Sequence, residues 1–316
     1  MKHLVISLFL CLPGPAARAA ERAHRKPDMN IKKDAPAPAQ TFCIFGGQSG
    51  KPFGDQAAFK SVIWKSDIVY AGGSPGRPAD QQARLEILKA MREARGSKIA
   101  VGFEELAVPL QPILDEYTAG KISEEDFLQK TGRRKGPQPD FAPYRPIFNF
   151  IIQNKLRALA LDPPDDLVVG IGREGPAALN ETEKKLLPAQ LKTGNRKKYL
   201  EFLKTSFDGP AASSATAAGA RDWENHLAAV SAWNESAGAA IADFINSKPG
   251  WSMLVLAGND RLIYNAALPA SVKSRAAKVR QASFYAEDAE KCPAALPRER
   301  RDLANYIWYT DSAAAR

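Results

Sequence analysis

The sequence predicts an α/β fold: a mostly parallel central sheet with helices on both faces and a helical insertion. Four short apolar runs at 63–71, 98–103, 158–161 and 251–256 have the length and residue types of buried strands. Each stops at a glycine or an acid, and each is followed by sequence of helical period, the alternation that builds a parallel sheet. In an open sheet of this kind ligands sit beyond the carboxyl ends of the strands. Gly72, Gly73 and Ser74, directly after the first run, therefore mark the first place for a ligand. From Ala71 to Ala79 there is no His, Cys, Asp or Glu, so a catalytic position is present there in shape and vacant in chemistry.

Taken in order, Ile63–Ala71 is rich in β-branched and aromatic residues and reads as the central strand. Residues 80–94 place Leu85, Leu88 and Met91 on one face and end before Gly96, an amphipathic helix with a suitable stop. Residues 98–103 form a second strand ending at Glu104-Glu105. Helices are expected over 111–117, over 124–130 behind a capping box at Ser123–Asp126, and over 146–154. Arg133–Asp140 is a Gly/Pro-rich loop, and 158–161 is a third strand closed by Asp162-Pro163-Pro164. Helices at 181–187 and 196–207 make the insertion, and the low-complexity stretch 209–219 is an exposed loop. The longest helix is 222–245, with Trp223, Leu227, Val230, Ala237, Ile241 and Phe244 along one stripe. The last strand, 251–256, precedes Gly258-Asn259-Asp260, and the final thirty residues read as a basic helical tail.

Residues 1–20 have the form of a secretory signal: Met1-Lys2, an apolar segment Leu4–Leu12, and the small-x-small site Ala17-Arg18-Ala19. The expectation is an exported chain, periplasmic or secreted, with a tether at 21–41, a domain at 42–285 and an extension at 286–316. No other run has the roughly 18 apolar residues of a membrane helix. Cleavage takes Lys2 and Arg18 and no acid from a net charge of +9, leaving +7. The basic clusters, Arg196-Lys197-Lys198 among them, are dispersed and lack interleaved aromatics, which argues for solvated surface and against a nucleic-acid partner. Cys43 and Cys292 remain near the two ends of the folded region. An oxidising compartment favours a disulfide between them, the alternative being two unpaired thiols.

Several spellings resemble the ChaN-like haem-binding family, which groups with Tiki and erythromycin-esterase folds; the likeness runs from about Val62 to Pro269. Ile68-Val69-Tyr70-Ala71-Gly72 matches the family's first strand and Pro78 its proline. Val101-Gly102-Phe103-Glu104 resembles the second strand with its acid. Gln111–Gly120, Tyr144-Arg145-Pro146-Ile147 and Leu156–Leu161 are similar to further family segments. The polar positions differ: Gly73 stands where the family has Glu, Pro75 where it has His, Asp80 and Gln81 where it has a His pair, Val230 where it has Gln, and Arg261 where it has His.

The resemblance implies haem as a ligand, with Tyr144 or Tyr264 as axial donor and Arg145 or Arg261 pairing a propionate. It also implies a homodimer. Glu104 is the one matching acid left, and a salt bridge to Arg261 is expected for it. One carboxylate cannot hold a catalytic metal, so no divalent metal is expected, and Arg261 favours an anion in the cleft. No catalytic residue is assigned. The mature chain has only His24 and His226, the latter expected at the surface or half-buried. Two other functions remain: a non-catalytic envelope scaffold, and a hydrolase with a site rearranged around Glu104, Asp80 and Asp260.

Overall fold

Strands buried along their whole length form the middle of the sheet in the computed structural model, which describes residues 43–311 except 54, 75, 134–140, 193, 195 and 210–221. The expected signal and tether, and the loops at 134–140 and 210–219, lie outside the described residues. β2 (Ile68–Ala71) and β5 (Ser252–Leu256) pair in parallel with no exposed position, as a strand covered by helices on both sides requires. β3 (Ile99–Ala107) pairs with β5, and β4 (Arg157–Asp162) with β3, both in parallel. On the other side β6 (Gln281–Ala289) pairs with β2 and β7 (Tyr306–Asp311) with β6, again in parallel. β1 (Ile44–Gly46) closes that edge antiparallel to β7. The order is β1-β7-β6-β2-β5-β3-β4, so the strand ends at Gly72, Gly258, Glu104 and Asp162 are neighbours, as the sequence leads one to expect.

Alternation along the strands divides the core in two. Val69, Val101, Leu254 and Phe284 face α1 (Gln56–Lys65), α2 (Pro78–Arg95), α3 (Gln111–Thr118), α4 (Glu124–Lys130) and α5 (Arg145–Asn154). Ile68, Tyr70, Met253 and Val255 face the other way, onto α9 (Trp223–Ser247) and α10 (Leu268–Arg275). α9 meets α10 at Gly238, where a Cβ would stand 2.0 Å from Ser271 Oγ, so only glycine permits that crossing. α6 (Asp165–Glu174) packs Val168 and Ile171 against Ala229 and Ala232 of α9. The insertion holds α7 (Glu181–Lys184) and α8 (Lys197–Asp208), whose Tyr199 and Leu203 meet the Trp223, Leu227 and Val230 end of the stripe. Among the described residues no helix is long and apolar enough to cross a membrane.

Three expectations are corrected. Residues 63–65 belong to α1: Asp55 accepts from Ala58 N at 2.8 Å as its N-cap, and Phe59 with Ile63 forms an i,i+4 buried pair, so the strand begins only at Ile68. The boundary at 285 falls inside β6. The expected helical tail instead supplies β7, whose Tyr-Ile-Trp-Tyr-Thr run has strong β character and inserts between β1 and β6. The disulfide forms as expected, Cys43 to Cys292 with Cα atoms 5.6 Å apart.

Candidate functional site

The loop after β2 is packed by side chains from α2 and from the turn after β5. Gly73 has φ +142°, and a Cβ there would lie 2.9 Å from that of Asp80. Asp80, fully buried at the start of α2, accepts from Ser74 N at 2.8 Å and from Thr310 Oγ1 at 2.7 Å, with Arg77 Nη1 at 3.3 Å. Arg77 also donates to Asp288 at 2.9 Å. At the next strand end a Cβ on Gly72 would stand 2.4 Å from Asn259 Oδ1. The Asn259 amide bridges β6, donating to Ala286 O at 2.7 Å and accepting from Ala286 N at 3.1 Å. Gly72 and Gly73 thus pack closely against Asn259 and Asp80, while Ser74 is exposed.

Beside this plug lies a buried ionic centre. Arg261, in the turn after β5, donates through Nη1 to both carboxylate oxygens of Asp162 at 2.7 and 2.8 Å. Its Nη1 is also 3.2 Å from Glu104 Oε2, the salt bridge expected from the sequence. Nη2 reaches Trp233 O at 2.8 Å and Nε reaches Asn234 Oδ1 at 3.3 Å. Glu104 Oε1 accepts from Gly258 N, while its Oε2 makes no hydrogen bond. Burial pushes the Glu104 carboxyl up to about 8, Arg261 pulling it back and Asp162 and Asp260 adding to the rise. Burial likewise pushes Asp162 up to about 6 against the pull of Arg261. Desolvation opposes the Arg261 charge, yet Asp162 and Glu104 together raise its pKa. The Arg261 guanidinium is thus met by two acids, and burial makes Glu104 the more readily protonated of them.

This centre floors a cleft of about 650 Å³ whose rim carries Glu105, Asp165, Asp260 and Trp233. The Arg261 charge is met within the chain by Asp162 and Glu104, and the acids lining this cleft outnumber the cations Arg133 and Arg261. The hydrolase set is not brought together, because Asp80 is bound within the plug. Among the described residues no three His, Cys, Asp or Glu groups are arranged to hold a metal.

The two tyrosines part company. Tyr144 is buried, stacks on Phe141 and donates its hydroxyl to Glu105, beside a space of only about 10 Å³. Burial and the Glu105 charge hold its phenol well above the usual range. Arg145 is exposed and forks onto Glu124 at 2.8–2.9 Å. Tyr264 instead lines a cleft of about 460 Å³ together with Arg196, Lys197, Lys198, Asp302 and Asn305. Tyr264 and Asn265 have φ of +59° and +52°, a left-handed pair that ordinary residues adopt only when held there. Tyr264 N donates to Leu303 O at 2.7 Å, Arg196 Nη1 donates to Tyr264 O at 2.7 Å, and Ser283 Oγ donates to Asn265 Oδ1 at 2.6 Å. Lys198 Nζ stands 5.8 Å from the Tyr264 ring centre and 3.6 Å from Asp302. Sequence reasoning missed this basic cleft, since residues 196–198, 264 and 302 meet only through the fold. His226 is half-buried, as expected, stacking on Trp223 with centres 5.7 Å apart.

A mostly parallel sheet with helices on both faces, a polar centre at its strand ends and a separate basic cleft define an α/β domain. The chain belongs to the family described as haem-binding uptake, Tiki superfamily, ChaN, whose model matches residues 61–272. Its fold is that of ChaN of Campylobacter jejuni, a structure showing cofacial haem binding, at a TM-score of 0.62 and 11% identity over 85% of this chain and 97% of that one. More distant are the type III effector HopBA1 (TM-score 0.46, 10% identity, 87% of this chain, 98% of that one) and an erythromycin esterase mutant, EreC, in its open conformation (0.42, 11%, 78%, 77%). No protein of curated function matches the sequence.

Proposed function

We propose that this chain is an exported binding protein for haem or a similar flat anionic ligand, held at Tyr264 rather than over the strand ends. One observation carries the location. Tyr144 borders a space of about 10 Å³, Tyr199 one of about 120 Å³ and Tyr264 one of about 460 Å³. Only the last falls within the roughly 300–1,000 Å³ of ligand sites. Haem needs one axial donor and cations for its propionates, and Tyr264 with Arg196 and Lys198 offers both. When bound, the iron supplies the Lewis acid that a tyrosine oxygen satisfies. The Cys43–Cys292 disulfide supports export, since such bonds persist in oxidising compartments. A homodimer and the absence of a hydrolytic metal are parts of the same reading.

The test is a haemin titration of purified protein followed in the Soret band. Binding is expected for the parent and for Tyr144→Phe, and a loss of about tenfold or more for Tyr264→Phe and for Arg196→Ala with Lys198→Ala, equivalent to about 1.4 kcal/mol. Mass measured with and without haemin reports the dimer. Equal binding by the Tyr264→Phe protein would remove this site, and one tightly held zinc or manganese per chain would favour the hydrolase.

A further inference from the structure

We propose that the Cys43–Cys292 disulfide is a redox gate on the Tyr264 cleft: oxidised it fixes one wall of the cleft, and its reduction by a dithiol loosens that wall and releases the anionic ligand. The proposal rests on the reading of that cleft as the ligand site.

The wall is made from two backbones that the disulfide ties together. Gln48 follows β1, and Asp302, Ala304 and Asn305 precede β7; all four line the cleft. Gly47 N donates to Asn305 O at 2.8 Å and Asp302 N to Gly47 O at 3.2 Å. The two segments approach so closely that a Cβ on Gly47 would stand 2.0 Å from Ala304 O. Tyr264 hangs on the same wall through its hydrogen bond to Leu303 O. Besides the disulfide, the wall is held by the buried Ile44 and Phe45 and by the bonds Gly46 N to Lys51 O at 2.9 Å and Phe53 N to Ile44 O at 2.6 Å. β1 is an edge strand of three residues, Ile44 to Gly46, paired with β7 and bridged at Phe45 to Pro52. So short an edge belongs to the part of a fold that opens first. Just before it, Cys43 O accepts from Tyr309 N at 2.8 Å, and the disulfide locks that end of β1 to the connection between β6 and β7.

The bond is also placed for exchange. Cys292 is exposed and Cys43 half-buried, so an incoming thiolate reaches Cys292 Sγ. The S–S bond breaks, its electron pair leaves on Cys43 Sγ, and that sulfur takes a proton. The second thiol of the dithiol then displaces Cys292, which is protonated in turn. The protein gains two electrons and two protons, and the dithiol becomes a disulfide. A monothiol would leave a mixed disulfide on Cys292 and open the wall equally.

Hydrogen exchange on ligand-free protein, with and without dithiothreitol, tests the gate by itself. On reduction the Gly47, Tyr264 and Tyr309 amides are expected to lose protection while the β2–β5 ladder keeps its own, and reoxidation restores them. Unchanged protection at those three amides, or loss across the whole sheet, would overturn the gate. Haemin titration of the same samples, and of a Cys43→Ser, Cys292→Ser protein, is expected to show affinity lower by about tenfold or more in the reduced and serine forms. Equal affinity in all forms would also overturn it. If the oxidised protein binds no haemin, the functional reading fails on its own, and the exchange data still decide whether the wall opens.

Discussion

Glu104 makes a test of the ionic centre because burial raises its carboxyl pKa against the pull of Arg261. Its carboxyl lies near 4.5 when free and at about 8 in the fold, so between those values the folded state holds more protons than the unfolded one. Stability from this group is therefore greatest at low pH and falls as pH rises through that window, by at most about 1.4 kcal/mol per unit. Glu104→Gln, which mimics the neutral acid, should match the parent below about pH 4.5 and become progressively the more stable of the two as the pH rises toward 8. Urea unfolding across that range checks it, and parallel curves would mean a solvated carboxylate. Arg261→Met should cost about 3–5 kcal/mol, because it strands the Asp162 charge that Arg261 now meets twice. A loss under about 1 kcal/mol in the same assay would show the pair to be dispensable. The Glu104–Arg261 contact was legible because both residues follow β-type runs. Asp162 was not, since beside Pro163-Pro164 it reads only as a strand stop, and its partner is 99 positions away.

Among the elements, local signals were readable and pairings were not. The capping box at Ser123 and Asp126 forms with both of its hydrogen bonds, because it depends on four consecutive residues. The apolar Val62-Ile63-Trp64 run misleads, since the cap that makes it helical, Asp55, lies seven residues earlier. β7 was missed because a strand's place in a sheet depends on a partner distant in sequence, here β6 on one side and β1 on the other. That placement yields a prediction. A chain ending at Asn305 removes β7, and with it the Asp80–Thr310 bond and the cover over Phe284. It leaves the β6 edge unpaired, so the shortened protein should associate rather than run as the parent does. Size-exclusion chromatography decides this, and a compact, unassociated product would show that the last strand is an accessory.

At the scale of the whole molecule, the ends of the folded chain are joined, and that changes the unfolded state as much as the folded one. Cys43 and Cys292 are 249 positions apart, so nearly the entire domain lies inside one covalent loop. Closing a loop of that length removes chain entropy from the unfolded ensemble equivalent to about 5 kcal/mol, less whatever structure the reduced unfolded chain retains. The core itself does not depend on the bond: β2, β5, β3 and β4 pair far from it, and both large apolar clusters form without either cysteine. The Cys43→Ser, Cys292→Ser protein should therefore still fold. Its urea midpoint should fall and its m-value should rise, because the uncrosslinked unfolded chain exposes more surface. A lower midpoint with an unchanged m-value would place the effect in the native β1 edge rather than in the unfolded chain. An unchanged midpoint would mean that the bond constrains neither state. The two contributions separate by experiment, since the entropic one appears only on global unfolding and the local one already appears in exchange at Gly47 and Tyr309.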